Sequence, residues 1–195
     1  MDYVCDLKRY IALEIEALQK IDLQKVNDLM HALDSVRKRN ATVYVMGNGG
    51  SASTASHMAN DFNKGLSEHL EQKFRTICLN DNIATVLAIA NDIGFNEIFA
   101  FQLHGKLSKD DLVIGISGSG NSQNVIKAIE YAKSVGTMTV GITGFNGGKL
   151  NEVVDISVNV PVMSMQITED VHLVLNHLIT AVFYEALCGI NHMCE

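Results

Sequence analysis

The chain has no surplus of basic residues. Its 15 lysines and arginines face 22 aspartates and glutamates, for a formal charge of −7. That balance argues against a non-specific nucleic-acid binder, which needs a cationic face to displace counterions from phosphates. A phosphorylated small molecule stays open, because backbone N–H groups hold phosphate without a cationic surface. No uninterrupted apolar run reaches the roughly 18 residues of a membrane span, and MDYVCDLKRY at the start lacks the basic-then-apolar order of a signal peptide. The expectation is a cytoplasmic protein with neither nucleic acid nor membrane as a partner. Cys5, Cys78, Cys188 and Cys194 form no close CxxC pair. Disulfides are rare in that compartment, so four reduced thiols are expected. There is one proline, Pro161, and no repeat, low-complexity segment or flexible linker breaks the 195 residues, about the length of one domain.

What is present is organised by period. Val4, Leu7, Ile11, Ile15 and Leu18 recur at helical spacing, and a second stripe runs through Val26, Leu29, Met30, Leu33 and Val36. Asp22 is placed to cap the second helix. Such a pair ahead of the main fold suits an oligomer contact or packing on its own domain. From residue 42 the pattern changes to short β-branched runs at 42–46, 75–79, 111–117, 137–143 and 155–160. Helical segments at 51–64, 83–90, 121–135 and about 167–188 separate them. Apolar strands joined by helices mark a parallel sheet covered on both faces. The fold class is therefore α/β, one doubly wound domain over 1–195 with a helical extension at 1–40.

Ligands in such sheets bind beyond the carboxyl ends of the strands. Two of those ends carry unusual loops: Gly47-Asn48-Gly49-Gly50-Ser51 and Ser117-Gly118-Ser119-Gly120-Asn121-Ser122, each followed by a helix. A glycine-rich turn at a helix start lets N–H groups approach an anion, and serine hydroxyls add donors at short reach. Neither loop reads GxxxxGK[ST] or GxGxxG, which excludes the common nucleotide motifs. Tight turns alone favour glycine and serine, yet two such loops in equivalent places point to a phosphate site.

GNGGSASTASHMANDF at 47–62, AIANDIGFNEIF at 88–99 and GISGSGNSQNVIKAI at 115–129 together resemble the sugar isomerase (SIS) family, and within it the phosphoheptose isomerases. GITGFNGGKL at 141–150 and EDVHLVLNHLI at 169–179 extend the resemblance over nearly the whole chain. It implies a five-stranded parallel sheet and a homotetramer with sites between subunits. The implied reaction converts sedoheptulose 7-phosphate to D-glycero-D-manno-heptose 7-phosphate through an enediol. By the family pattern Ser117, Ser119 and Ser122 hold the phosphate and Asn121 shapes the loop. Asn48, Gly49, Gly50 and Ser51 contact the substrate from the first loop, Gly118 and Glu169 also belong to the substrate site, and Asp92 binds a hydroxyl. One zinc ion per subunit is implied on His57, Asp61, Glu169 and His177, with Asp61 as base and His177 as complementary acid–base group.

The residue types agree with that chemistry. His57 and Asp61 are four apart and share a helix face. Glu169 and His177 are eight apart, offset by about 80° at 3.6 residues per turn. Two imidazoles with two carboxylates suit zinc or another divalent transition metal. His172 is turned about 140° from His177 and ranks below it, while His69, His104 and His192 read as ordinary polar residues. The chain also departs from the family pattern: Asp61 stands for the usual glutamate, Gly65 for an arginine, Gly118 for a threonine, Gln166 for an acidic residue and Glu169 for a glutamine. Two alternatives stay open, an isomerase of another sugar phosphate and a non-catalytic SIS protein that senses a sugar phosphate or binds a replication initiator.

Overall fold

A computed structural model describes residues 2–191, so His192 and Cys194 lie outside the described residues. Two helices lead the chain, α1 (Val4–Gln19) and α2 (Leu23–Lys38). Asp22 caps α2 as expected, its carboxylate accepting from the N–H groups of Gln24 at 2.9 Å and Lys25 at 3.3 Å. The alternating region follows as β1 (Val43–Gly47), α3 (Gly50–Asn60), β2 (Thr76–Cys78), α4 (Ile83–Asp92), α5 (Ala100–Leu103) and β3 (Leu112–Ser117). It continues with α6 (Gln123–Val135), β4 (Met138–Gly144), α7 (Gly148–Val153), β5 (Ile156–Val160) and α8 (Met165–Cys188). Every strand boundary falls within one residue of its expected place, because β-branched runs buried on both faces carry a strong local signal.

All four strand pairings are parallel, in the order β2-β1-β3-β4-β5. The alternation of β1 divides the core. Val43 and Val45 join Leu112, Ile114 and Ile116 under α2, α3 and α8. Tyr44 and Met46 join Val113 on the opposite face, with Ile129 of α6 and Leu150 of α7. Helix α8 is long and apolar enough to cross a membrane by length and composition. One face of it packs in the core, where Ile167, Val171, Leu175, Ile179 and Phe183 are buried.

One expected element is split. The helix read over 51–64 ends as an α-helix at Asn60, and Asp61–Gly65 form a wider π-helical turn closed by the Leu66 N–H on the Asp61 carbonyl. Phe62 and Leu66 are both fully buried. Both pack in the core, while Asp61 faces His57 and Asn176. Single π turns of this kind recur at functional sites.

Candidate active site

In a sheet ordered 2-1-3-4-5 the chain reverses direction between β1 and β3, and a crevice opens there beyond the strand ends. Both serine- and glycine-rich loops sit at this point. Gly47 and Ile116 are register partners, so the loop after β1 and the loop after β3 leave the sheet side by side. Asn48, Ser51, Ser117, Gly118, Ser119, Ser122, Met165 and Glu169 line a cavity of about 190 Å³ between them. Ser51 lies in the first turn of α3 and Ser122 is the residue before α6, so two helix starts direct N–H groups towards the same space.

Side-chain amides hold the loops in shape. Asn80 accepts from the Gly47 N–H at 3.2 Å and donates to its carbonyl at 2.8 Å. Asn48 and Asn124 exchange amide hydrogen bonds of 2.8 and 3.0 Å, tying the first loop to α6. Ser117 and Ser122 hydroxyls lie 3.0 Å apart. Asn121 donates to the Ser119 carbonyl at 2.9 Å and accepts from the Lys149 N–H at 3.1 Å, so it braces the loop rather than lining the cavity. Gly49 has φ +56°, a conformation that suits glycine. Gly50 has no room for a side chain, because a Cβ there would lie 2.3 Å from the Glu169 carboxylate.

A second group of polar side chains forms farther along the same helices. His57 on α3, Asp61 just beyond it and His177 on α8 each offer one ligand atom, all within 4.8 Å of one another. The two histidine Nε2 atoms are 3.0 Å apart. Asp61 Oδ2 lies 3.3 Å from His57 Nε2 and 3.9 Å from His177 Nε2. Two nitrogens bound to zinc at roughly 2.0–2.1 Å with a tetrahedral angle would sit about 3.3 Å apart. The donor set and its spacing fit a divalent metal, with both histidines exposed enough to be reached from solvent.

Glu169 stands apart from this cluster of three, on an earlier turn of α8. An 80° offset permits a shared target, but eight residues add about 12 Å of helix rise, and the carboxylate is instead packed against Gly50 in the serine cavity. Asp92 lies exposed at the end of α4, where Asn91 donates to it at 2.7 Å, and it does not line the cavity. His172 is buried, its ring nitrogen 3.0 Å from the Thr143 carbonyl, and burial pushes it below the ordinary histidine value despite that bond. It has no part in the cluster. Two larger hollows, about 440 and about 340 Å³, open around Arg39 at the other end of the sheet. They lie at the amino ends of the strands, away from the crevice.

Sequence reasoning missed Asn80, Asn124, Asn176 and Met165. Asn176 donates to Asp61 Oδ2 at 2.7 Å. The Met165 sulfur lies 2.5 Å from where a Cβ on Gly118 would stand, so it occupies the place of the side chain that Gly118 lacks.

Known proteins resemble this chain in sequence and in fold. The SIS domain family matches residues 5–144. A phosphoheptose isomerase of Helicobacter pylori is 36% identical over 173 residues, covering 88% of this chain and 87% of that protein. One from Aliarcobacter butzleri is 37% identical over 169 residues, covering 87% of each. Among solved structures, phosphoheptose isomerase from Neisseria gonorrhoeae superposes with a TM-score of 0.85 at 26% identity, over 93% of this chain and 98% of that one.

Proposed function

The chain belongs to the SIS domain family, and from that premise we propose that it is a phosphoheptose isomerase acting on sedoheptulose 7-phosphate. The observation that carries the reading is that one pair of helices serves both ends of such a substrate. Helices α3 and α8 run side by side in the same direction. Gly50 meets Glu169 at the serine cavity, and His57 meets His177 two turns later. A phosphate held at the start of the pair leaves the far end of the sugar chain beside the cluster.

In this reading Ser51, Ser117, Ser119 and Ser122 bind the phosphate with hydroxyls and helix-start N–H groups, remote from the reacting carbons. Binding energy gained there holds C1 and C2 in place for proton transfer. Glu169 accepts from a sugar hydroxyl beside Gly50. Aldose–ketose isomerisation removes a proton from one carbon and returns it to its neighbour, while a proton passes in the same sense from the first carbon's hydroxyl to the neighbouring carbonyl oxygen. Asp61 carries the carbon-bound proton and His177 serves the oxygen. Zinc on His57, Asp61 and His177 would polarise the carbonyl and stabilise the charge of the enediol.

The serine cavity is smaller than the roughly 300 Å³ at which small-molecule pockets begin. The rest of the site is therefore assigned to a second copy of the chain in a homotetramer, with exposed Asp92 available to reach it. We further assign the protein to the cytoplasm. The test is incubation with sedoheptulose 7-phosphate, with and without zinc, followed by NMR of the sugar. Turnover by the wild type, lost on Ser119→Ala and His177→Ala, supports the reading. A wild type that binds the sugar phosphate without turning it over removes it.

A further inference from the structure

The reaction scheme leaves several buried polar side chains without a task, and one of them touches the cluster. Asn176 is fully buried on α8, one residue before His177. Its Nδ2 donates to Asp61 Oδ2 at 2.7 Å, while its Oδ1 has no hydrogen-bond partner among the described residues. The amide cannot be turned the other way, since that would set an acceptor against a carboxylate. Buried polar atoms are nearly always satisfied, so an orphan kept in the core calls for a reason other than folding.

The geometry around Asp61 supplies one. Oδ2, the oxygen that Asn176 binds, is also the one nearest both imidazoles, at 3.3 and 3.9 Å. Oδ1 has only a long contact, 3.4 Å from Asn60 Nδ2 at the surface. A carboxylate on a short side chain can rotate and exchange its oxygens. A donor fixed in the core prevents that.

We propose that Asn176 is a positioning residue that commits Oδ2 of Asp61 to the metal-binding cluster and leaves Oδ1 free for the substrate proton. The proposal rests on the isomerase reading. It places the aspartate's control on the opposite helix, 115 residues away, and it makes the orphan Oδ1 a sacrifice of stability for a set carboxylate. Groups that orient metal ligands from behind typically change metal affinity 10–100-fold when removed.

The experiment is Asn176→Leu, which keeps the volume and removes both the bond and the orphan. Zinc affinity is read by competition with a chelating dye, melting temperature on the metal-free protein, and kcat and KM on sedoheptulose 7-phosphate. Expected are a zinc affinity at least tenfold weaker and kcat at least tenfold lower. KM should be unchanged, and the metal-free melting temperature equal to or above that of the wild type. On an Asp61→Asn background the same substitution should weaken zinc binding no further. If Asn176→Leu does not fold, Asn176→Ala takes its place with the same expected loss of affinity.

Wild-type zinc affinity and kcat in the variant would overturn the proposal. So would an affinity loss that persists undiminished on the Asp61→Asn background, or one matched by a falling melting temperature, which marks a purely structural role. A wild type with neither zinc binding nor turnover would instead remove the isomerase reading itself, and this inference with it.

Discussion

At Gly120 a single methyl group separates the serine loop as it stands from a displaced one. Its φ is +67°, and a Cβ would stand 1.9 Å from the Gly147 carbonyl oxygen, a backbone atom that cannot swing aside. The residue is also tied at both ends, its N–H to the Ser117 carbonyl and its own carbonyl to the Leu150 N–H. Gly120→Ala must therefore push the loop carrying Ser119 and Ser122 away from α7. Positive φ alone costs of order 1–3 kcal/mol, and the clash adds to it. The expected result is a KM for the sugar phosphate raised at least tenfold together with a lower melting temperature. Gly105→Ala is the control, because φ is similar at +72° but no atom of the described residues lies within 4 Å of the added Cβ. It should lose stability and keep KM. His172 gives a second test, in pH. Burial holds the folded histidine below its ordinary value, so between that lowered value and about 6.5 the unfolded chain binds a proton that the folded one does not. Stability from this residue is complete above pH 6.5 and falls as pH drops towards the folded value. His172→Gln should therefore show a shallower loss of melting temperature from pH 7 to 5 than the wild type. Equal slopes would exonerate His172.

Between elements, the parallel run of α3 and α8 acts as a ruler. Ser51 and His57 are six residues apart, a rise of about 9 Å, and Glu169 and His177 eight apart, about 12 Å. The distance from serine cavity to cluster is thus set by rigid helices, and in the proposed pose a sugar phosphate with fewer carbons would not span it. Misplacement by about 1 Å can cost two orders of magnitude in rate. Across seven-, six- and five-carbon ketose phosphates, kcat/KM should fall at least tenfold with the first carbon removed. A flat series would show that the two helices do not measure chain length. Much of this arrangement was legible in the sequence. The strands declared themselves by β-branched runs, the loops by glycine and serine at strand ends, and the His57–Asp61 pair by its spacing of four. What was hidden depends on contacts between distant segments. Nothing local announces that Asn176 reaches Asp61, that Asn48 pairs with Asn124, or that Met165 takes the place left by Gly118. The π-helical turn was equally silent, because the apolar spacing of Phe62 and Leu66 also fits an unbroken α-helix. Glu169 was read both as a metal ligand and as a substrate contact, and its packing against Gly50 in the serine cavity suits the second role.

For the molecule as a whole, the question is what covers its apolar surface. On α4 Ile83 is 69% exposed and Leu87 63%, and Ile89 is the one residue of that helix that is buried. Tyr3, Val4, Leu7, Ile11 and Ile15 are exposed along α1, where Ala17 alone is buried. Contiguous apolar patches of this kind mark association surfaces in soluble proteins, and identical chains most often meet with closed symmetry. The exposed Asp92 ends the same helix α4, so a partner docking there would bring its own surface close to that carboxylate. In the proposed tetramer the two features would belong together: the helix that forms the interface would also deliver a substrate contact. Leu87→Glu buries a charge in such an interface while leaving the serine cavity and the His57–Asp61–His177 cluster untouched. Light scattering after size exclusion should give a multiple of 21.3 kDa for the wild type and a smaller species for the variant. Turnover should fall at least tenfold with the dissociation, and recover partly at high protein concentration, as mass action requires. A wild type that is monomeric and fully active would show instead that one chain holds the complete site, and that α4 keeps its apolar face for another purpose.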